Sequence, residues 1–97
     1  MAIQLMIRIN RNSTVTFSPD PLAANTLDQI FWVNNDDTEP HWPGLVKSDG
    51  SINPTFFMPN QIAQGGDSSP IFSPSTAATL DYACSLHPGE TGSIVIT

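Results

Sequence analysis

Positive charge is scarce in this sequence. Arg8, Arg11 and Lys47 are its only Lys or Arg residues against nine acids, and the formal net charge is −6 over 97 residues. That scarcity argues against a nucleic-acid partner, because phosphate binding needs clustered Lys and Arg. It equally disfavours an anionic membrane surface. The acidic balance keeps the chain soluble by self-repulsion, and as a sharper reading it steers a basic partner. Cysteine is nearly absent too: Cys84 stands alone, so no internal disulfide can form. A lone cysteine is usually a small buried apolar residue, and any thiolate duty has to be argued from its neighbours. No apolar run approaches the roughly 20 residues of a membrane helix. The start, MAIQLMIRIN, lacks the basic-then-apolar order of a secretory signal and reads as a first strand. There is no repeat, linker or low-complexity tract. No stretch carries a helical period longer than about two turns. Residues 1–97 are expected to form one domain.

What is present is turn chemistry and alternation. Nine prolines and six glycines imply many turns and few long helices. Ile3, Leu5, Ile7 and Ile9 alternate with Gln4, Met6 and Arg8, the period of a half-buried strand. Val15 and Phe17 mark a second strand, ended by Pro19 and Pro21. Residues 27–33 predict a third, rich in β-formers and dense enough for burial on both faces. A polar loop, 34–43, follows. A short strand is expected over 44–47 and an edge strand over 68–72. Residues 76–84 place Leu80, Tyr82 and Cys84 on one face. Gly92 closes a loop before a last strand over 93–97. Residues 52–70 are hard to read and leave room for a short helical turn. Seven to eight short strands with turns between them predict an all-β, Greek-key sandwich.

The chemistry-bearing residues gather where strands run into loops. His41 lies in the loop after an apolar strand. Cys84 and His87 are separated by two residues at the end of another strand. Loops held by a rigid sheet are where ligands are usually mounted. One Cys with two His is a copper or zinc ligand set. Thiolate favours Cu(I) and imidazole suits both copper states, so a trigonal Cys-His site serves both with little rearrangement. The Cys-x-x-His pair by itself is weak, and each histidine by itself is more often a surface or satisfied core residue.

Context strengthens the set. The segment YACSLHPGETGSIVI, residues 82–96, resembles the C-terminal copper loop of cupredoxins. The segment FWVNNDDTEPH, residues 31–41, resembles the other half of that pattern: an apolar strand ending in Asn, a loop, then Pro-His. VTFSP, residues 15–19, is similar to the family's early strand. The resemblance runs in order along nearly the whole chain, with the middle poorly covered. It implies a cupredoxin-like sandwich holding one copper ion through His41, Cys84 and His87. It matches Pro40 to a residue whose carbonyl weakly faces the metal in some members. It gives Asn34 or Asn35 the task of bracing the ligand loops by hydrogen bonds, beside the plainer reading of a strand-end turn. Trp42, Pro43, Leu86 and Pro88 would form the docking face around an exposed histidine edge, or else ordinary loop packing.

Two positions depart from the family. Trp42 stands where many members carry Asn after the first histidine, which disturbs the usual hydrogen bonding at the sulfur. Glu90 stands three residues after His87, where the shortest loops carry an axial Met. As a ligand, this hard, anionic oxygen would favour Cu(II). Pointing outward, it would be a solvated loop carboxylate and leave the metal an open position. Glu39 is a weaker second candidate, and Met58 reads as core filler. Asp36, Asp37 and Glu39 read as an acidic rim.

The leading expectation is an electron carrier rather than an enzyme, with His87 as exit edge and an unidentified redox protein as partner. The alternatives are a copper site that binds or turns over nitric oxide or nitrite, and a copper store or delivery protein. Zinc is chemically possible in the same set. A cysteine hydrolase would need a Cys–His hydrogen bond and an oxyanion hole, which nothing signals. The resemblance also implies a monomer in a periplasmic or extracellular setting, with no membrane span.

Overall fold

The structure, a computed structural model, describes residues 3–97; Met1 and Ala2, the beginning of the run read as a first strand, lie outside them. Among the described residues nine strands follow in order: β1 (Gln4–Arg11), β2 (Val15–Ser18), β3 (Leu22–Ala24), β4 (Gln29–Asn34), β5 (Pro43–Val46), β6 (Ile52–Asn53), β7 (Asp67–Ser68), β8 (Ala78–Cys84) and β9 (Thr91–Ile96). They form two sheets, ordered β2-β1-β4-β7 and β3-β9-β8-β5-β6. No helix among the described residues is long and apolar enough to cross a membrane.

Alternation becomes layering. On β1, Ile7 and Ile9 are sealed in the core, while Met6 is exposed. On β9, Gly92, Ile94 and Ile96 face in and their neighbours do not. Between the sheets the aromatic rings meet edge to face, with Trp32 and Tyr82 centroids 5.4 Å apart and Phe17 and Tyr82 5.0 Å apart. Such geometry sets ring edges against ring faces. Gly92 is required by this packing: a Cβ there would lie 2.3 Å from the Tyr82 hydroxyl.

Register sets the site. β1 and β4 run parallel, with Ile9 opposite Asn34. Arg11 is the last residue of β1 and therefore lies beside the loop that leaves β4. In the other sheet Pro43 pairs with Cys84. The start of β5 and the end of β8 thus deliver their loops to the same end of the sandwich.

Several expectations shift. Leu27 does not open β4: it sits in a turn at φ 71° and is 61% exposed. β4 is sealed on one face, with Ile30, Trp32 and Asn34 inside, while Phe31 and Val33 on the other face are only half-buried. Gly92 lies within β9 rather than in the preceding loop. Residues 68–72 supply only the end of β7 and a single bridge from Phe72 to Ile30. The middle region holds β6 and then a turn over residues 54–57 in place of a helical turn. That turn sends Phe57 and Met58 into the core.

Candidate metal centre

His41 is fixed by backbone on both sides. Its N–H donates to the Ile62 carbonyl at 3.1 Å and its carbonyl accepts from the Ile62 N–H at 2.8 Å. Asn34 props the loop from within. Its amide donates to the carbonyls of Glu39 at 3.0 Å and Ile62 at 3.1 Å, and its side-chain oxygen accepts from the Asp36 N–H at 3.0 Å. It braces the His41 loop and the 62 segment; no bond from it to the Cys84 loop is among these. The second loop is wound by two successive turns. The His87 N–H reaches the Cys84 carbonyl at 3.1 Å and the Glu90 N–H reaches the His87 carbonyl at 2.9 Å. The Cys84 N–H returns to the Glu90 carbonyl at 2.9 Å. Those turns face Cys84, His87 and Glu90 toward one point. The two loops are joined where the Ser85 N–H donates to the Trp42 carbonyl at 2.7 Å.

The structure brings His41, Cys84, His87 and Glu90 together, with one donor atom from each all within 4.8 Å of one another. Cys84 Sγ is 3.7 Å from His41 Nδ1 and 3.6 Å from His87 Nδ1. Two ligands sharing one ion at about 2.0–2.3 Å, tetrahedrally disposed, stand about 3.5 Å apart. Glu90 Oε1 lies 2.9 Å from His41 Nδ1 and 3.4 Å from His87 Nδ1.

The outer ring nitrogens explain why the inner ones are free to bind. His41 Nε2 is 2.8 Å from Asp36 Oδ2, with both side chains fully buried. The Arg11 guanidinium, 2.9 Å from Asp36 Oδ1, holds that carboxyl well below the usual carboxylate range despite its burial, with help from Thr38 and His41. An ionised carboxylate only accepts, so Nε2 carries the proton and Nδ1 presents a lone pair to the cluster. His87 repeats the arrangement with Glu39 Oε2 at 2.7 Å from Nε2. Lone pairs of both Nδ1 atoms then converge with Glu90 Oε1, a buried oxygen with no well-formed hydrogen bond. Such a gathering of acceptors around one point fits a cation, and sulfur beside imidazole fits a soft or borderline one.

The sulfur is sealed from solvent. Burial pushes the Cys84 thiol up, while the N–H groups of Trp42, Leu86 and His87 favour the thiolate. The Trp42 N–H donates to Sγ at 3.3 Å. Because that donor is backbone, the residue type after His41 does not decide the bond. The Trp42 ring is half-buried, with its own N–H on the Met58 carbonyl at 3.4 Å, and it packs against the core.

Other placements differ from the rim and docking expectations. Asp36 is not rim: it is fully buried, the inner partner of both Arg11 and His41. Glu39 contacts the outer nitrogen of His87, away from the donor cluster, and so stands behind the ring and not in an axial place. Pro43 is buried at the start of β5, which removes it from any docking face. Leu86 and Pro88 are exposed, and Pro40 is half-buried beside His41. Met58 is core, as expected. Sequence reasoning missed Asp36 as an imidazole partner and Arg11 as its counter-charge. The one available signal was that Arg11 belongs to a very small set of cations.

No protein-family profile and no curated protein matches the chain. Solved structures do. A reduced, Cu(I) form of an amicyanin variant at pH 4 aligns with a TM-score of 0.73 and 20% identity over 99% of this chain and 82% of its own. Amicyanin from Paracoccus versutus aligns with a TM-score of 0.73 and 17% identity over 97% and 81%. A reduced tryptophan-to-tyrosine variant of amicyanin gives 0.74 and 17% over 97% and 82%. The chain has the fold of amicyanin, the all-β cupredoxin sandwich expected from its sequence.

Proposed function

We propose that this chain is a cupredoxin in function as well as fold: a mononuclear copper protein that carries single electrons. The observation that carries the reading is the convergence of Cys84 Sγ, two imidazole Nδ1 atoms and Glu90 Oε1, with the outer nitrogens already bound to carboxylates. His41, Cys84 and His87 would hold the ion, and Glu90 would supply the fourth donor. Copper bound there supplies a one-electron couple. The protein's part is to keep the donors in place in both oxidation states. His41 is immobilised between Asp36 and the Ile62 backbone. Cys84 is held by the Trp42 N–H and the β5–β8 pairing. Fixed donors mean little rearrangement when charge changes, which keeps the barrier to exchange low.

His87 is the one ligand with an exposed side chain, at 33%. Its edge, beside the exposed Leu86 and Pro88, is where a redox partner protein would dock, in a periplasmic or extracellular setting. The placement of Glu90 beside both Nδ1 atoms favours the carrier over a site open to nitric oxide or nitrite.

Titrating the purified chain with Cu(II) tests this. An intense visible thiolate-to-copper band saturating at one equivalent, lost in Cys84→Ser, with a reversible one-electron wave, is the expected result. No such band refutes the reading. Glu90→Met should raise the reduction potential and shift the colour toward blue, since thioether favours Cu(I) where carboxylate favours Cu(II). An unchanged spectrum and potential would place Glu90 off the metal.

A further inference from the structure

Arg11 contributes no donor to the cluster, yet its guanidinium connects both histidines. Its Nε donates to Asp36 Oδ1 at 2.9 Å and its Nη2 to Glu39 Oε1 at 2.6 Å. Each carboxylate turns its other oxygen to an imidazole: Asp36 Oδ2 to His41 Nε2 at 2.8 Å, Glu39 Oε2 to His87 Nε2 at 2.7 Å. One planar fork thus spans two imidazoles that come from separate loops. The link starts on β1, which supplies none of the donors.

We infer that Arg11 is a positioning residue for the metal site: through Asp36 and Glu39 it fixes which nitrogen of each imidazole faces the cluster and ties the two ligand loops together. The inference rests on the copper-carrier reading above. Without the guanidinium, two carboxylates that share it would repel each other, and the buried Asp36 would lose its counter-charge. The exposed Arg11–Glu39 pair adds little stability as an ion pair; what it adds is orientation of His87. Partners of ligand imidazoles set ring orientation, tautomer and basicity. A lysine in the same place would keep the charge but not the bidentate fork.

The test compares wild type, Arg11→Gln and Arg11→Lys by three measurements. Imidazole nitrogen shifts of the metal-free protein report which nitrogen carries the proton. Release of Cu(II) to excess chelator reports how firmly the loops hold, and voltammetry reports the potential. Expected in wild type are protonated Nε2 on both rings. Arg11→Gln should turn His87 into a mixture of tautomers, speed release about tenfold and lower the potential. Arg11→Lys should release as fast as Arg11→Gln but keep the wild-type potential, a split that loss of fold would not produce. Wild-type tautomers and release rates in both variants overturn the inference. If wild type forms no thiolate band with Cu(II), the carrier reading fails instead, and the metal-free tautomers still decide the role of Arg11.

Discussion

His41 and His87 offer the same nitrogen to the same point from opposite surroundings. The His41 side chain is fully buried and its carboxylate partner Asp36 is too; the His87 side chain is 33% exposed and its partner Glu39 42%. Asp36 also accepts from the Thr38 N–H at 2.9 Å and from the Thr38 hydroxyl. Around Glu39 the polar side-chain contacts are Arg11 and His87. His41 is bonded through its backbone to Ile62, whereas the His87 N–H closes a turn within its own loop. An electron carrier needs both halves. The enclosed half keeps the donors still, and the open half brings a ligand edge to the surface, where exchange with a partner happens. The same carboxylate–imidazole contact therefore bears on folding in one half and on positioning in the other.

The strongest way to break that contrast is Asp36→Ala. It strands the His41 Nε2–H and part of the Arg11 fork, in a place that water does not reach. Removing one partner of a buried charged pair costs about 3–5 kcal/mol, so urea unfolding of the metal-free protein should show a loss of about 3 kcal/mol. A loss under about 1 kcal/mol, the scale of an exposed pair, would make the halves equivalent.

Acid gives a milder perturbation of the same half. Arg11 holds the Asp36 carboxyl below its ordinary value. The stability this contributes is therefore fully present above the unfolded value, about 3.9, and is lost as pH falls below it toward the folded one. Metal-free protein should lose stability from about pH 4 downward, by at most about 1.4 kcal/mol per unit for this one proton. Unfolding midpoints in Asp36→Asn should fall less steeply over the same window. Equal slopes would remove Asp36 from the acid response.

Sequence reasoning located the donors better than what holds them. Alternation placed Ile7, Ile9, Tyr82 and Cys84 correctly, because a strand's period of two is local information. His41, Cys84, His87 and Glu90 were legible because two loop patterns carry them. Asp36 was misread for a physical reason: a carboxylate in a polar loop is normally solvated, and what buries this one comes from a strand 25 residues away. The Arg11–Glu39 contact spans 28 residues. Such partners follow from the parallel pairing of β1 with β4, which no local pattern announces. The short β3 and β6, of three and two residues, are too brief for periodicity to show. The Trp42 donation to sulfur was hidden because its donor is backbone.

The smallest expected effect falls on the open half. Glu39→Ala removes one exposed pair to Arg11 and the outer contact of His87. Water can replace the carboxylate at both, so unfolding of the metal-free protein should change by less than about 0.5 kcal/mol. Orientation of His87 is not replaced as easily, because water imposes no fixed direction on the ring. Release of Cu(II) to a chelator should therefore quicken in Glu39→Ala although stability barely moves. Salt separates the contributions further: screening acts on exposed pairs and little on buried ones. Raising ionic strength should bring wild-type release toward that of Glu39→Ala, and should leave the release rate of Glu39→Ala itself nearly unchanged. A large stability loss in this variant, or salt dependence that persists without Glu39, would mean that the open half is built like the enclosed one.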